Sequence, residues 1–231
     1  MLLNGMNEQV LEFTTRTLDE IAQAPPDEPA FANLDDHVWI LNGRAIALRR
    51  LGRTDEALAE LHRAAQLAEA GEQNVSQALN LGAFHCSLGR PDDALRAIDV
   101  VGAMSGYGRM VENGVRHCAA LQTGDRGAAR KALAYLREHR GDGELSYVEA
   151  LLREGDLDTA AERVKALLSS SEHRGRTLRW MQQYVRPAPL PGDVATRAAR
   201  ETLLARTDVR EAIDAVGRIG EYTLYLEESM D

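Results

Sequence analysis

Apolar positions recur along most of the chain at intervals of three and four residues, the spacing that gathers them on one face of a helix. Gly, Pro and Asp punctuate these stretches. Residues 7 to 22 carry Val10, Leu11, Phe13, Leu18 and Ile21 and read as one helix, after which Pro25, Pro26 and Pro29 break the chain. Leu41, Ala45 and Leu48 mark a second helix, and Leu58, Leu61, Ala64 and Ala65 a third. Ala78, Leu81, Gly82 and His85 follow, then Leu95, Ile98 and Val101. Residues 174 to 185 are also expected to be helical, and Pro187, Pro189, Pro191 and Gly192 form the clearest linker. Two more helices are predicted: 194 to 205, and a segment opened by Asp208 with Glu211 as in a capping box and closed by Gly217. The tail from Glu221 to Leu226 reads equally as a short strand or a frayed helix.

The middle of this pattern repeats. Leu51-Gly52-Arg53-Thr54-Asp55-Glu56-Ala57-Leu58 and Leu88-Gly89-Arg90-Pro91-Asp92-Asp93-Ala94-Leu95 share the form Leu-Gly-Arg-x-Asp-acid-Ala-Leu at an offset of 37 residues. Weaker copies centre on Gly124 with Ala129 and on Gly155 with Ala160. A period of this size fits a helix-turn-helix unit. Each Gly is placed to end a first helix, Pro91 and Asp156 are suited to open a second, and the following Ala lets the two helices approach closely.

These residues resemble the tetratricopeptide repeats. That pattern sets a small residue in the first helix, Gly seven positions on, Ala five further, and apolar residues four and seven beyond. Gly82, Gly89, Ala94, Ile98 and Val101 fit it, as do Ala45, Gly52, Ala57, Leu61 and Ala64. The third and fourth copies keep Gly124, Ala129, Leu133 and Leu136, and Gly155, Ala160, Val164 and Leu167, but hold His117 and Val148 at the small position. The resemblance covers about residues 33 to 170. It implies a right-handed α-α superhelix whose first helices line a peptide-binding groove. The groove positions would be Trp39, Asn42, Ile46, Arg49 and Arg50, then Ser76, Leu79, Ala83, Cys86 and Ser87, then Val111, Gly114, Cys118, Leu121 and Gln122. Clamping of a chaperone's C-terminal carboxylate is not expected, since only Asn80 matches the residues used for it.

Composition agrees. The 231 residues are 44% hydrophobic but 5% aromatic, so the core must be built from Ala and Leu, which favours an all-α protein. A net charge of -9 opposes nucleic acid and anionic membranes as partners. Two cysteines and the lack of a signal-like or membrane-spanning segment point to the cytoplasm.

Candidate chemistry is sparse. His85-Cys86 and His117-Cys118 recur in adjacent first helices, but neighbours on a helix point about 100° apart and make poor chelators, so no metal is expected. Gly102, Gly106 and Gly108 lack the preceding strand of a phosphate loop. Asp35-Asp36, Asp92-Asp93 and Glu227-Glu228 are explained by helix starts and solubility. One basic cluster, Arg174, Arg176, Arg179 and Arg186 with Trp180, would suit an anion or acidic peptide.

The expected architecture is therefore a helical flank over 1-32, a solenoid of about four repeats over 33-186 and a helical extension over 187-231. The expected function is non-catalytic binding of a protein or peptide in the groove, without cofactor. A regulatory or sensor module and a helical enzyme are the alternatives, and homodimerisation through the C-terminal tail is a further expectation.

Overall fold

The computed structural model describes residues 1–25, 27–31, 37–69, 72–99 and 102–226. These are mostly helical, with twelve α-helices among them. After α1 (Asn7–Gln23) come four helix pairs: α2 (His37–Arg50) with α3 (Thr54–Gln66), α4 (Val75–Ser87) with α5 (Pro91–Ile98), α6 (Gly106–Thr123) with α7 (Arg126–Glu138), and α8 (Glu144–Glu154) with α9 (Leu157–Ser169).

All four pairs turn by the same device. Gly52, Gly89, Gly124 and Gly155 take φ of 72 to 77°, a left-handed backbone that costs any residue with a Cβ. The next residue then bonds back to the first helix: Arg53 N–H to Leu48 O, Arg90 to His85, Asp125 to Ala120 and Asp156 to Leu151, each at 2.9 Å. The second helices open as the sequence predicts, with Pro91 in the first turn of α5 and the Asp156 carboxylate accepting from Thr159 N–H at 3.1 Å.

The small residues set the packing. Ala57, Ala94, Ala129 and Ala160 are all at most 2% exposed. A Cβ on Gly82 would come within 2.6 Å of Ile98 Cγ2, so α4 and α5 touch there at a distance only Gly permits. Leu61, Ile98 and Val164, four residues after the Ala of their pair, are buried, as are Leu136 and Leu167, seven after it, each contributing roughly 1.5–3 kcal/mol. Each pair packs on the next, α3 against α4, α5 against α6 and α6 against α8. At the other end Arg44 ties α1 to the first pair, donating to Leu11 O at 3.1 Å, Thr15 Oγ1 at 2.7 Å and the buried Glu60 carboxylate at 2.9 Å.

The C-terminal part shares the core of the fourth pair. Here α10 (Arg174–Met181), α11 (Val194–Ala205) and α12 (Thr207–Asp214) follow, and Leu203, Val209 and Ile213 cluster with Leu151, Val164 and Leu168. Strand content is small. β1 (Ala68–Glu69) and β2 (Glu72–Gln73) pair antiparallel, while β3 (Gln183–Val185) and β4 (Glu221–Tyr225) pair in parallel.

Two expectations are corrected. The helix predicted over 174 to 185 ends at Met181, because Gln183 and Tyr184 pair with Glu221 and Tyr222; that pairing also makes the tail a strand. Asp208 does not cap α12, which begins at Thr207; its carboxylate is taken by Arg206 and Lys165, both at 3.0 Å. Pro26, Asp35, Asp36, Val101, Glu227 and Glu228 lie outside the described residues. No helix among the described residues is long and apolar enough to cross a membrane.

Candidate functional site

The last turn of an α-helix leaves carbonyl groups without intrahelical donors, and the four first helices end side by side. The segment from Ala188 to Asp193 crosses these ends in order. Arg49 on α2 donates to Ala188 O. On α4, Ser87 O accepts the Gly192 N–H at 2.7 Å. Gln122 on α6 reaches under the same point, its Nε2 bonding Cys86 O at 2.7 Å. Arg153 on α8 faces the Asp193 carboxylate at 4.0 Å.

Local sequence explains this strap. Pro187, Pro189 and Pro191 fix φ along it and remove N–H groups that would otherwise need acceptors, before a turn that the Asp193 N–H closes on Leu190 O at 2.9 Å. Leu190 packs on the cluster of Ala45, Leu48, Leu81 and Phe84. Gly192 sits so close that a Cβ would collide with Cys86 O and come within 2.9 Å of both Ser87 O and Gln122 Nε2. This close approach, not a turn, is what requires glycine there.

The predicted groove residues therefore divide. Asn42, Ile46, Arg49, Leu79, Cys86 and Cys118 are buried. Gln122 is exposed as a residue although its amide is bonded, and Asn42 accepts from Asn80 at 3.2 Å. Arg50 is half-buried, donating to Leu2 O at 2.8 Å and Leu226 O at 3.1 Å, with its guanidinium 4.1 Å from the Tyr225 ring centre. Trp39, 45% exposed, and Ala83 also present open surface. On α6, Gly114 has nothing within 4 Å of where a Cβ would stand.

The paired His-Cys positions do not converge on one point. His85 meets His62 edge-on at 5.4 Å between ring centres, whereas His117 bonds Glu154 at 3.0 Å. Burial pushes both imidazoles below their ordinary pKa. The two thiols are neighbours across α4 and α6. Cys118 is favoured as the thiolate by a hydrogen bond from Cys86, with Arg153 adding to the effect, and Cys86 is pushed far up in consequence. No cluster of three His, Cys, Asp or Glu able to hold a metal occurs among the described residues. At the start of α6, Ser105 Oγ accepts the Gly108 N–H at 3.1 Å, and the Asp142 carboxylate lies against Gly106.

The basic run is split by the fold. Arg174 turns back onto Leu168 O at 2.9 Å, and Arg176 and Arg179 are exposed on α10. Arg186 leaves them and lines a cavity of about 150 Å³ with Trp180 and three arginines distant in sequence, Arg153, Arg197 and Arg200. Arg200 stacks on Trp180 at 4.7 Å and donates to its carbonyl.

Sequence reasoning missed the strap and three of these four arginines. The alternating prolines were the available signal, since an extended proline-rich segment suits a groove as well as a linker. No protein-family model matches the chain, and neither the curated proteins nor the solved structures contain a significant match to it.

Proposed function

We propose that this protein is a non-catalytic protein-binding module of tetratricopeptide type, a right-handed superhelix of four helix pairs acting in the cytoplasm. Its first-helix face binds an extended peptide. One observation carries the reading: the chain's own proline-rich segment 188–193 lies on that face, with Arg49 donating to Ala188 O and Ser87 O accepting the Gly192 N–H. Side chains and carbonyls that hold a non-helical backbone in cis are suited to hold one in trans. The strap covers the C-terminal ends of the first helices, so a partner would enter over the remaining part, marked by Trp39, Ala83 and Gly114.

Peptide-display selection against the whole protein tests this, with binders re-measured on Trp39→Ala and Ala83→Arg. Both positions are exposed, so neither change threatens the fold. A loss of at least tenfold in affinity in either variant is expected. Failure to enrich any peptide, or binders indifferent to both changes, would overturn the reading.

A further inference from the structure

The cavity walled by α8, α10, β3 and α11 begins where the strap ends, sharing Arg153 and Asp193 with it, and Trp39, Ala83 and Gly114 are not among its lining residues. We propose that it is an anion site for a doubly charged oxyanion of the phosphate-monoester class.

Charge is the first reason. Arg153, Arg186, Arg197 and Arg200 line it together with Glu149 and Asp193, so the described lining residues carry a formal excess of two positive charges. This concentration stands out in a chain of net charge -9. Guanidinium groups present paired donors that match the oxygens of a phosphate.

Donors left over by the fold are the second reason. Arg153 Nε is buried with no hydrogen-bond partner among the described residues. The twelve-residue α11 begins at this wall, with Thr196 in the lining, and Asp193 at its N-cap makes no side-chain capping bond. The first-turn N–H groups of a helix without such a cap favour an anion, and the helix dipole adds to the attraction. These donors come from α8 and α11 independently.

Size and wall chemistry narrow the ligand. A volume of about 150 Å³ has room for a phosphoryl group and its linking atom. Trp180 and Leu152 supply the apolar side, which strengthens charge pairing by excluding water. The excess of two charges favours a dianion over a carboxylate.

Isothermal titration of the whole protein with inorganic phosphate, phenyl phosphate and acetate tests the proposal, run at pH 5.5 and 7.5. One-to-one saturation by phosphate and phenyl phosphate is expected, stronger at pH 7.5 where the dianion is more abundant, with acetate at least tenfold weaker. Arg153→Gln and Arg186→Gln, each checked for retained helicity, should weaken phosphate at least tenfold. Saturation by inorganic phosphate with no binding of phenyl phosphate would overturn the ester and leave the free ion, whereas tighter binding of phenyl phosphate assigns the site to the ester. Absence of saturation by 10 mM phosphate (about −2.7 kcal/mol in the affinity scale), acetate binding as tightly, or unchanged affinity in both folded variants would overturn it. Should both variants unfold, the wild-type comparison of phosphate with acetate still decides.

Discussion

The backbone N–H of Gly192 meets the carbonyl oxygen of Ser87 at 2.7 Å, joining the proline-rich strap to the end of α4 where no side chain would fit. Gly192→Val should force the strap off this site, costing roughly 1–3 kcal/mol as overpacking does. Guanidinium unfolding monitored by helicity measures the loss. Because Cys86 lies beneath the strap, its reaction with a bulky disulfide reagent should also accelerate; wild-type protein should show neither thiol reacting until it unfolds, since both are at most 3% exposed. An equally stable variant with unreactive thiols would mean that the strap is not held there.

The repeat register makes a sharper demand. Ala57→Leu and Ala94→Leu place three extra carbons at positions that are fully buried, and each should cost roughly 1–3 kcal/mol. Ala83→Leu, on the exposed side of α4, should stay within about 0.5 kcal/mol. Melting temperatures that fail to separate these two classes would refute the assignment.

His117 is fully buried and, like His85, is held below the ordinary pKa of 6.5 chiefly by burial. The unfolded chain takes up protons near pH 6.5 while the folded one resists them. The stability these residues contribute is therefore complete above pH 6.5 and lost as pH falls toward their folded values. Denaturation midpoints should drop over that range, and the drop should be shallower in a His85→Gln/His117→Gln double variant. An identical slope would show that other groups govern it.

Arg44 links three helices, and removing it leaves Glu60 buried with only Arg63, at 2.9 Å, for company. Arg44→Ala should destabilise by about 2–3 kcal/mol, below the full cost of breaking a buried pair because Arg63 remains. Hydrogen exchange should then quicken first in α1. Uniform loss of protection throughout the chain would contradict a local docking role.

Local rules made the helix pairs legible. A left-handed turn needs Gly within its own few residues, and Ala57, Ala94, Ala129 and Ala160 report a packing contact made with the adjacent helix. What escaped depends on distant partners. Residues 183–185 have a helical pattern of their own, yet Glu221 and Tyr222 turn them into a strand. Asp208 has the spacing of a capping residue, yet Lys165 and Arg206 compete for its carboxylate and win. The cavity draws arginines from α8, the segment after β3, and α11, whereas charge clustering along the chain pointed to α10. The first-helix residues were identified by position, but the segment lying over them could not be, because nothing near Arg49 or Ser87 in sequence announces Ala188 or Gly192.

Open repeat arrays ordinarily lengthen by duplicating a unit, since each unit touches only its neighbours. The strap removes that freedom. It meets Arg49, Ser87, Gln122 and Arg153 in sequence order along a stretch of six residues stiffened by proline. An added helix pair between α5 and α6 would carry Gln122 and Arg153 out of reach of Gly192 and Asp193, and a deleted pair would leave part of the strap with no helix end beneath it. Residues 188–193 thus gauge the number of repeats, and any descendant of this chain that gained or lost one would have to rebuild the gauge as well.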